Sequence, residues 1–148
     1  MASAAEINKL RARARNILCS SHCNYSIRFK LENIRIQALQ FGYIGDLISR
    51  GKINIRIGSG NGYDHRSNTL IFYDVDVEAH VIVHEATHAA IDATHQGVTI
   101  TKGHGEAAAY LAEMIYSIVT TGGAVDLNVQ HLTRTGVAAC TERYRGRQ

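Results

Sequence analysis

The segment from Val81 to Ile91 places two histidines and a glutamate inside a mostly apolar stretch with no helix breaker. Within it, the run His84-Glu85-Ala86-Thr87-His88 follows the pattern H-E-x-x-H. Side chains four residues apart lie on one face of an α-helix, so both imidazoles can bind one metal ion. Ionisable side chains are costly to bury unless they are paired or bind a metal. The sequence therefore predicts a buried helix that carries a metal site.

Glu85 lies beside this predicted site without being one of its ligands. In H-E-x-x-H sites the histidines bind zinc, and the glutamate takes a proton from a water molecule that the zinc activates. The alternative interpretation is a solvated helix face, because five-residue patterns also occur by chance. The apolar flanks favour the metal site. We therefore predict His84 and His88 as ligands of one zinc ion and Glu85 as the general base.

A catalytic zinc ion needs a third protein ligand and one open position. The longer pattern H-E-x-x-H-x-x-G-x-x-H is absent, because Ile91 and Thr94 stand where it has glycine and histidine. His95 is one residue out of register, and a continuing helix would carry it about 10 Å along the axis from His88. We therefore predict that His95 lies at the helix end, before the stop signal Gln96-Gly97.

Glu106 is the predicted third ligand, in the first turn of a second helix. That helix follows the glycine-rich start Gly103-His104-Gly105 and is rich in alanine. Seventeen residues separate His88 from Glu106, which leaves room for a loop and a return. Steps of four and three place Glu106, Tyr110 and Glu113 on one helix face. We expect this polar face to point at the zinc ion.

Four further polar residues near the motif have two interpretations each. Asp92 is either a hydrogen-bond acceptor for a ligand histidine or a surface charge, and it could be a direct third ligand only if the helix broke early. Tyr110 either donates to a developing oxyanion or packs its ring, and packing is the favoured interpretation. Glu113 either holds a ligand histidine or pairs with an exposed cation. His104 either lines the cleft or is solvated in its Gly-His-Gly loop.

Two segments before the motif are predicted strands. Lys52–Ile57 alternates apolar and polar residues, and Thr69–Tyr73 is rich in β-branched and aromatic residues. The glycine-rich run at 58–62 is a predicted turn. Asp74 or Asp76 is expected to cap the motif helix. A sheet edge at this place could pair with an extended peptide, while the alternative is an ordinary α+β core.

Helical spacing of apolar residues predicts further helices near both ends of the chain. Ala4–Leu18 is one of them, and its arginines are interpreted as a solvated face. Ile27–Ile48 gives a mixed pattern, which indicates a strand or a helix followed by a helix near Ile44–Ile48. Val125–Ala139 is predicted as the last helix, and Thr141–Gln148 as a polar, basic tail.

The length of 148 residues fits one domain with a substantial core. We predict an N-terminal, mostly helical part at 1–50, the strands and site helices at 51–121, and a C-terminal helix and tail at 122–148. The net charge of +3 indicates no strongly anionic partner such as nucleic acid. No apolar run is long enough for a membrane span, and the N-terminus does not read as a signal peptide.

The three cysteines argue against a disulfide framework. Cys19 and Cys23 flank His22, whereas Cys140 is distant in sequence. A second zinc site would need a fourth ligand and closer grouping, and a Cys-His nucleophilic pair lacks a group to orient the histidine. Buried free thiols are therefore the default expectation.

The two predicted site helices together resemble the gluzincin group of zinc metallopeptidases. His84-Glu85-x-x-His88 followed by Glu106 matches the pattern in which a glutamate on a later helix is the third ligand. Val83–Asp92 and Gly105–Glu113 also resemble small metallopeptidase domains of bacterial secreted effectors and polymorphic toxins. The resemblance covers roughly residues 53–118 and implies His84, His88 and Glu106 as ligands of one Zn²⁺ ion, with Glu85 as the general base.

This resemblance also implies an α+β, zincin-like fold, in which a small antiparallel or mixed sheet packs on the H-E-x-x-H helix and on the second ligand-bearing helix. The implied activity is hydrolysis of peptide bonds, with a protein or peptide as substrate and a cognate immunity protein as a further partner. The implied location is that of a bacterial effector. Such a protein is cytoplasmic in the producing cell and is then delivered or secreted without a classical signal peptide.

Two other functions stay open at this point. A zinc amidase acting on a cell-wall peptide would have the same site and a different cleft. A non-catalytic, metal-stabilised binding module would close its metal site with a fourth protein ligand, for example His95 or His104. The presence of Glu85, which is not a ligand, favours catalysis.

Overall fold

The computed structural model describes residues 2–123, which form an α+β structure with two small sheets. The predicted helix at Val125–Ala139, the basic tail and Cys140 lie outside the described residues. The helices are α1 (Ala4–Leu18), a short π-helix (His22–Ser26), α2 (Gln40–Ser49), α3 (Ala79–Thr94) and α4 (Lys102–Thr120). The strands are β1 (Phe29–Leu31), β2 (Ile34–Ile36), β3 (Asn54–Ile57), β4 (Gly62–Asp64) and β5 (Thr69–Phe72).

Helix α1 has the bounds that the apolar spacing predicted. It begins with a capping box, in which Glu6 N–H donates to Ser3 Oγ and Ser3 N–H donates to Glu6 Oε1, both at 3.1 Å. Leu10, Ala14 and Leu18 follow at steps of four and are all buried. This stripe packs α1 against α2 and α3.

The mixed pattern of Ile27–Ile48 resolves into a hairpin and a helix. Strands β1 and β2 pair antiparallel, and each buries its two outer residues and exposes the middle one. The predicted helix near Ile44–Ile48 is the second half of α2. The hairpin was not predicted because strands of three residues are too short to show a period of two.

The second sheet has the strand order β3-β5-β4. The central strand β5 pairs parallel with β3 and antiparallel with β4, so β4 is an edge strand. Strands β3 and β5 lie in the two segments that the sequence predicted. Strand β4 was not predicted, because it begins at Gly62 inside the glycine-rich run.

Helix α3 lies at the centre of the fold, in contact with α1, α2, α4, β4 and β5. Every residue from Ile82 to Thr87 is buried, and the exposed fractions of His84 and Glu85 are only 8% and 6%. The prediction of a buried motif helix is therefore confirmed. The burial of two charged or polar motif residues also means that their partners must come from the protein or from a bound ion.

The predicted cap of α3 is wrong. The residue at the N-cap position is Glu78, and its side chain does not cap the helix. Asp74 instead accepts the N–H of Asp76 in a local turn that ends before α3. At the other end the prediction is confirmed, because α3 stops at Thr94 and His95 Nε2 accepts the N–H of Arg35 at 3.0 Å.

Helix α4 packs along α3 through small buried side chains. Its N-terminus is capped by Thr101 Oγ1, which accepts the N–H of His104 at 3.1 Å. The buried small residues on this helix are Gly105, Ala108, Ala109 and Ala112. In residues 2–123, α4 is the longest helix, at 19 residues. None of the helices in this part of the chain is long and apolar enough to cross a membrane.

Asn24 joins the N-terminal elements through its buried amide, which is only 4% exposed. Its Nδ2 donates to the carbonyl oxygens of Leu18 at 2.8 Å and Ser20 at 2.9 Å. Its Oδ1 accepts the N–H of Gly42 in α2 at 2.8 Å. A Cβ at Gly42 would lie 2.9 Å from Asn24 Oδ1, so only glycine lets α2 approach this closely.

We expect Asn24→Ala to lower the free energy of unfolding by about 2–3 kcal/mol, because it leaves the half-buried N–H of Gly42 and the buried carbonyl of Leu18 without this partner. Urea unfolding monitored by circular dichroism measures this change. The matched control is Asn16→Ala on the exposed face of α1, which should change stability by less than about 0.5 kcal/mol. Equal stability of both variants would contradict the role of Asn24.

Candidate metal centre

Helices α3 and α4 bring two histidines and a glutamate to one point. His88 Nε2 lies 3.0 Å from Glu106 Oε1, and His84 Nε2 lies 3.4 Å from Glu106 Oε2. The centroids of the two imidazole rings are 5.4 Å apart. Both rings therefore direct the same type of nitrogen at one carboxylate. The step of four residues on α3 and the position of Glu106 in the second turn of α4 produce this convergence. The prediction placed Glu106 in the first turn and is wrong by one turn, because α4 already begins at Lys102.

A group of side chains that could hold a metal ion lies at this point. Each of His84, Glu85 and His88 offers a ligand atom, and these atoms lie within 4.8 Å of one another. Glu106 reaches the same two histidines from α4. The predicted site residues are thus all brought together. His95 and His104 are not part of the group.

Glu85 is the most perturbed acid of this group. Burial raises the pKa of its carboxyl group to about 7, and the negative charges of Glu106 and Glu113 also raise it, while His84 opposes the change. A carboxyl group that titrates near neutral pH can both accept and release a proton under physiological conditions. The pKa of Glu85 in the metal-free protein is therefore suited to acid–base chemistry.

Glu113 holds one of the predicted ligands in a fixed orientation. Its Oε1 lies 3.0 Å from His84 Nδ1, so the ring donates its Nδ1–H to the carboxylate and keeps Nε2 for a metal. Burial raises the pKa of Glu113, but the hydrogen bonds from His84 and His80 outweigh it and the net pKa is lowered. Of the two interpretations of Glu113, the structure therefore confirms the contact with His84, the predicted ligand.

His80 is a functional candidate that the sequence analysis missed. Its Nδ1 lies 2.9 Å from Glu113 Oε2, and its Nε2 contacts the carboxylate of Glu78. The signal was present in the sequence, because His80 precedes His84 by four residues and so lies on the same face of α3. This face continues the histidine row one turn beyond the motif.

The two motif histidines differ in their affinity for a proton. Burial lowers the pKa of His88 and outweighs the opposing effect of Glu106, so this imidazole is held in the neutral form that binds metals. Burial also lowers the pKa of His84, but the hydrogen bond to Glu113 and the charges of Glu85, Glu113 and Glu106 raise it above its ordinary value. A metal ion must therefore compete with a proton at His84 more than at His88.

Asp92 has a partner that neither of its interpretations anticipated. Its Oδ2 accepts the hydroxyl hydrogen of Tyr63 at 2.8 Å, so it does not hold a ligand histidine and is not a free surface charge. Burial and this hydrogen bond raise the pKa of Tyr63, which keeps its hydroxyl protonated as a donor. The contact ties edge strand β4 to the second half of α3. Sequence spacing alone could not indicate a pair that is 29 residues apart.

Tyr110 lies at the mouth of the site. Its ring meets His84 edge to face, with centroids 4.6 Å apart, while 59% of the residue is exposed. Packing of the ring, the favoured interpretation, is therefore observed, and a role for its hydroxyl in stabilising an oxyanion stays a prediction. His104 does not line the cleft around the site.

The candidate metal centre opens into a cleft of about 880 Å³. The first wall of the cleft is formed by β4 and by the residues just before and after it. The second wall is formed by α3, and the third wall by the start of α4. The residues that line it are Asn61, Gly62, Tyr63, His65, His84, Glu85, His88, Ile91, Asp92, Ile100, Thr101, Lys102, Gly105, Glu106 and Tyr110. The wall from β4 was not foreseen because that strand was not predicted.

Comparisons with known proteins give no match: no protein-family model fits the chain, and no curated protein or solved structure is significantly similar to it. The likeness to gluzincins thus rests on the residues of the motif helix and of α4 alone. The interpretation of this centre accordingly depends on the geometry and chemistry of its own side chains.

Proposed function

We propose that this protein is a zinc-dependent peptidase with a zincin-like fold. The observation that carries the proposal is the position of Glu85, a buried carboxyl group beside two convergent imidazoles at the base of an open cleft. Burying an ionisable group costs stability unless it is paired or serves a bound ion. A catalytic role explains why a glutamate occupies this position.

The donor set fits zinc. Two imidazole nitrogens and one carboxylate, from His84, His88 and Glu106, are a combination that zinc takes up in catalytic sites and that leaves one position open. Glu113 supplies the outer carboxylate that orients a ligand histidine. In residues 2–123, His95 and His104 lie outside the cluster, which disfavours a structural site closed by a fourth histidine.

Glu85 performs the proton transfers in the proposed mechanism. A bound zinc ion would supply Lewis acidity, which lowers the pKa of water and polarises a carbonyl group. Glu85 accepts a proton from the attacking water on its carboxylate and then donates it to the amine that leaves. Glu113 meanwhile keeps His84 in one tautomer. The positive charge of a metal would lower the pKa of Glu85 and favour its role as a base in the first step.

The edge strand β4 supports a peptide as the substrate. Strand β5 occupies one side of β4, and residues of β4 line the cleft beside His84 and His88. An extended peptide can add to such an edge by main-chain hydrogen bonds and lie across the metal centre. A cell-wall peptide would use the same catalytic groups, so this amidase activity is an outcome to be tested. The roles of effector and of an immunity protein as partner rest on the resemblance and stay predictions.

Metal analysis tests the ligand set. We expect wild type to bind about one zinc ion per chain, and Glu106→Ala to lose more than about 100-fold in zinc affinity, since removal of even an outer partner costs 10–100-fold. Competition with a chromophoric chelator measures the affinity. Asp92→Ala is the matched control, because it removes a carboxylate from the same cleft that contacts Tyr63 and not the histidines. Unchanged affinity in Glu106→Ala would remove Glu106 from the ligand set.

The general base is tested by Glu85→Gln, which keeps the size of the side chain. We expect this variant to retain zinc and to lose about 10²–10⁴-fold in the rate of peptide hydrolysis, because the amide cannot accept the proton of water. Cleavage of a fluorescently labelled unfolded protein measures the rate. Asp76→Asn makes the same chemical change on an exposed side chain outside the cleft and should leave the rate unchanged. Cleavage by Glu85→Gln at the wild-type rate would rule out this assignment.

A further inference from the structure

We propose that His80 is a positioning residue of the metal centre, which fixes the carboxylate of Glu113 so that Glu113 in turn fixes His84. This inference rests on the proposed function and concerns the same site: His84 would bind the metal, Glu113 orients His84, and His80 orients Glu113. His80 and His84 occupy successive turns of α3, and both donate to one carboxylate on α4. The row His80, Glu113, His84 therefore leads from the protein surface to the cluster that could hold a metal.

The geometry uses both oxygens of Glu113. Oε1 lies 3.0 Å from His84 Nδ1, and Oε2 lies 2.9 Å from His80 Nδ1. A carboxylate with a single partner can turn about its last bond, whereas two donors on one rigid helix fix its plane. The side chain of Glu113 is 22% exposed, so without His80 one of its oxygens would turn to water. His80 thus determines the direction in which Glu113 accepts the hydrogen bond from His84.

The charge of His80 fits this role. Its second nitrogen, Nε2, contacts the carboxylate of Glu78, and a neutral imidazole has only one N–H to donate. Two carboxylate partners therefore require the imidazolium form. Burial lowers the pKa of His80, but the hydrogen bonds from Glu78 and Glu113 outweigh burial and raise it above its ordinary value. The cation balances part of the negative charge that Glu85, Glu106 and Glu113 concentrate nearby.

Helix stability does not explain the arrangement. His80 lies in the first turn of α3, where the helix dipole disfavours a positive charge. Glu78 stands at the N-cap position, but its side chain contacts His80 and makes no capping hydrogen bond. Neither residue therefore makes an interaction that would stabilise the start of the helix. Glu78 instead contacts His80, and His80 contacts the carboxylate of Glu113.

The test compares His80→Asn with His80→Leu, two side chains of nearly equal shape. Asparagine keeps an N–H donor close to the position of Nδ1, and leucine has none. The side chain of His80 is 34% exposed, so both variants should fold. His22→Leu makes the same change on an exposed histidine of the π-helix and serves as the control. Thermal unfolding of the metal-free proteins checks that all of them are folded.

Three measurements report on the centre itself. We expect His80→Leu to weaken zinc binding about 10-fold and to change the visible absorption spectrum of the cobalt-substituted protein, as loss of an outer partner does. His80→Asn should stay within about threefold of wild type. In the metal-free protein at alkaline pH, long-range ¹H–¹⁵N NMR should show His84 as the Nδ1–H tautomer in wild type and in His80→Asn, and as a tautomer mixture in His80→Leu.

Wild-type zinc affinity and an unchanged cobalt spectrum in His80→Leu would overturn the proposal. Equal losses in His80→Leu and His80→Asn would also overturn it, because packing rather than the donor would then be responsible. Failure of wild type to bind zinc would instead refute the proposed function. In that case the tautomer of His84 in the metal-free variants still decides whether His80 acts on His84 through Glu113.

Discussion

The hydrogen-bonded contact between the polar face of α3 and that of α4 is the constraint on which the rest of this structure depends. Ile82–Thr87 is fully buried, yet it carries His84 and Glu85 into the interior. Buried polar groups need partners, and α4 provides them for His84 through Glu106 and Glu113. Small residues on α4 allow the two helices to approach closely enough for these contacts.

The same contact sets the chemistry of the centre. Three carboxylates (Glu85, Glu106 and Glu113) and three histidines (His80, His84 and His88) of the two helices lie at or next to the centre, and their environments separate their proton affinities. Burial raises the pKa of Glu85, whereas Glu113 has its pKa lowered by the histidines that donate to it. Pairs of acids with such opposite shifts are typical of sites in which one group transfers protons and another orients a partner. Our proposal of a zinc peptidase assigns these two roles to Glu85 and Glu113.

The cleft depends on a separate set of contacts. Edge strand β4 is held beside α3 by the hydrogen bond from Tyr63 to Asp92 and is paired on its other side with β5. The hairpin of β1 and β2 is fixed to the end of α3 by the contact of Arg35 with His95. Of these two contacts, the hydrogen bond from Tyr63 to Asp92 joins residues that line the cleft and so gives it a defined wall beside α3.

Local sequence patterns were sufficient to predict the elements that have a clear period. Apolar spacing gave α1 its bounds, and the H-E-x-x-H pattern and the alanine-rich run predicted α3 and α4, with His84, Glu85, His88 and Glu106 as one site. The sequence missed the short strands β1, β2 and β4, because three residues carry too little periodicity. Tertiary structure alone decided that Asp92 contacts Tyr63 and that Glu113 bridges His80 and His84. The physical reason is that a local pattern fixes the face on which a side chain lies, whereas the packing of distant segments decides what that face meets.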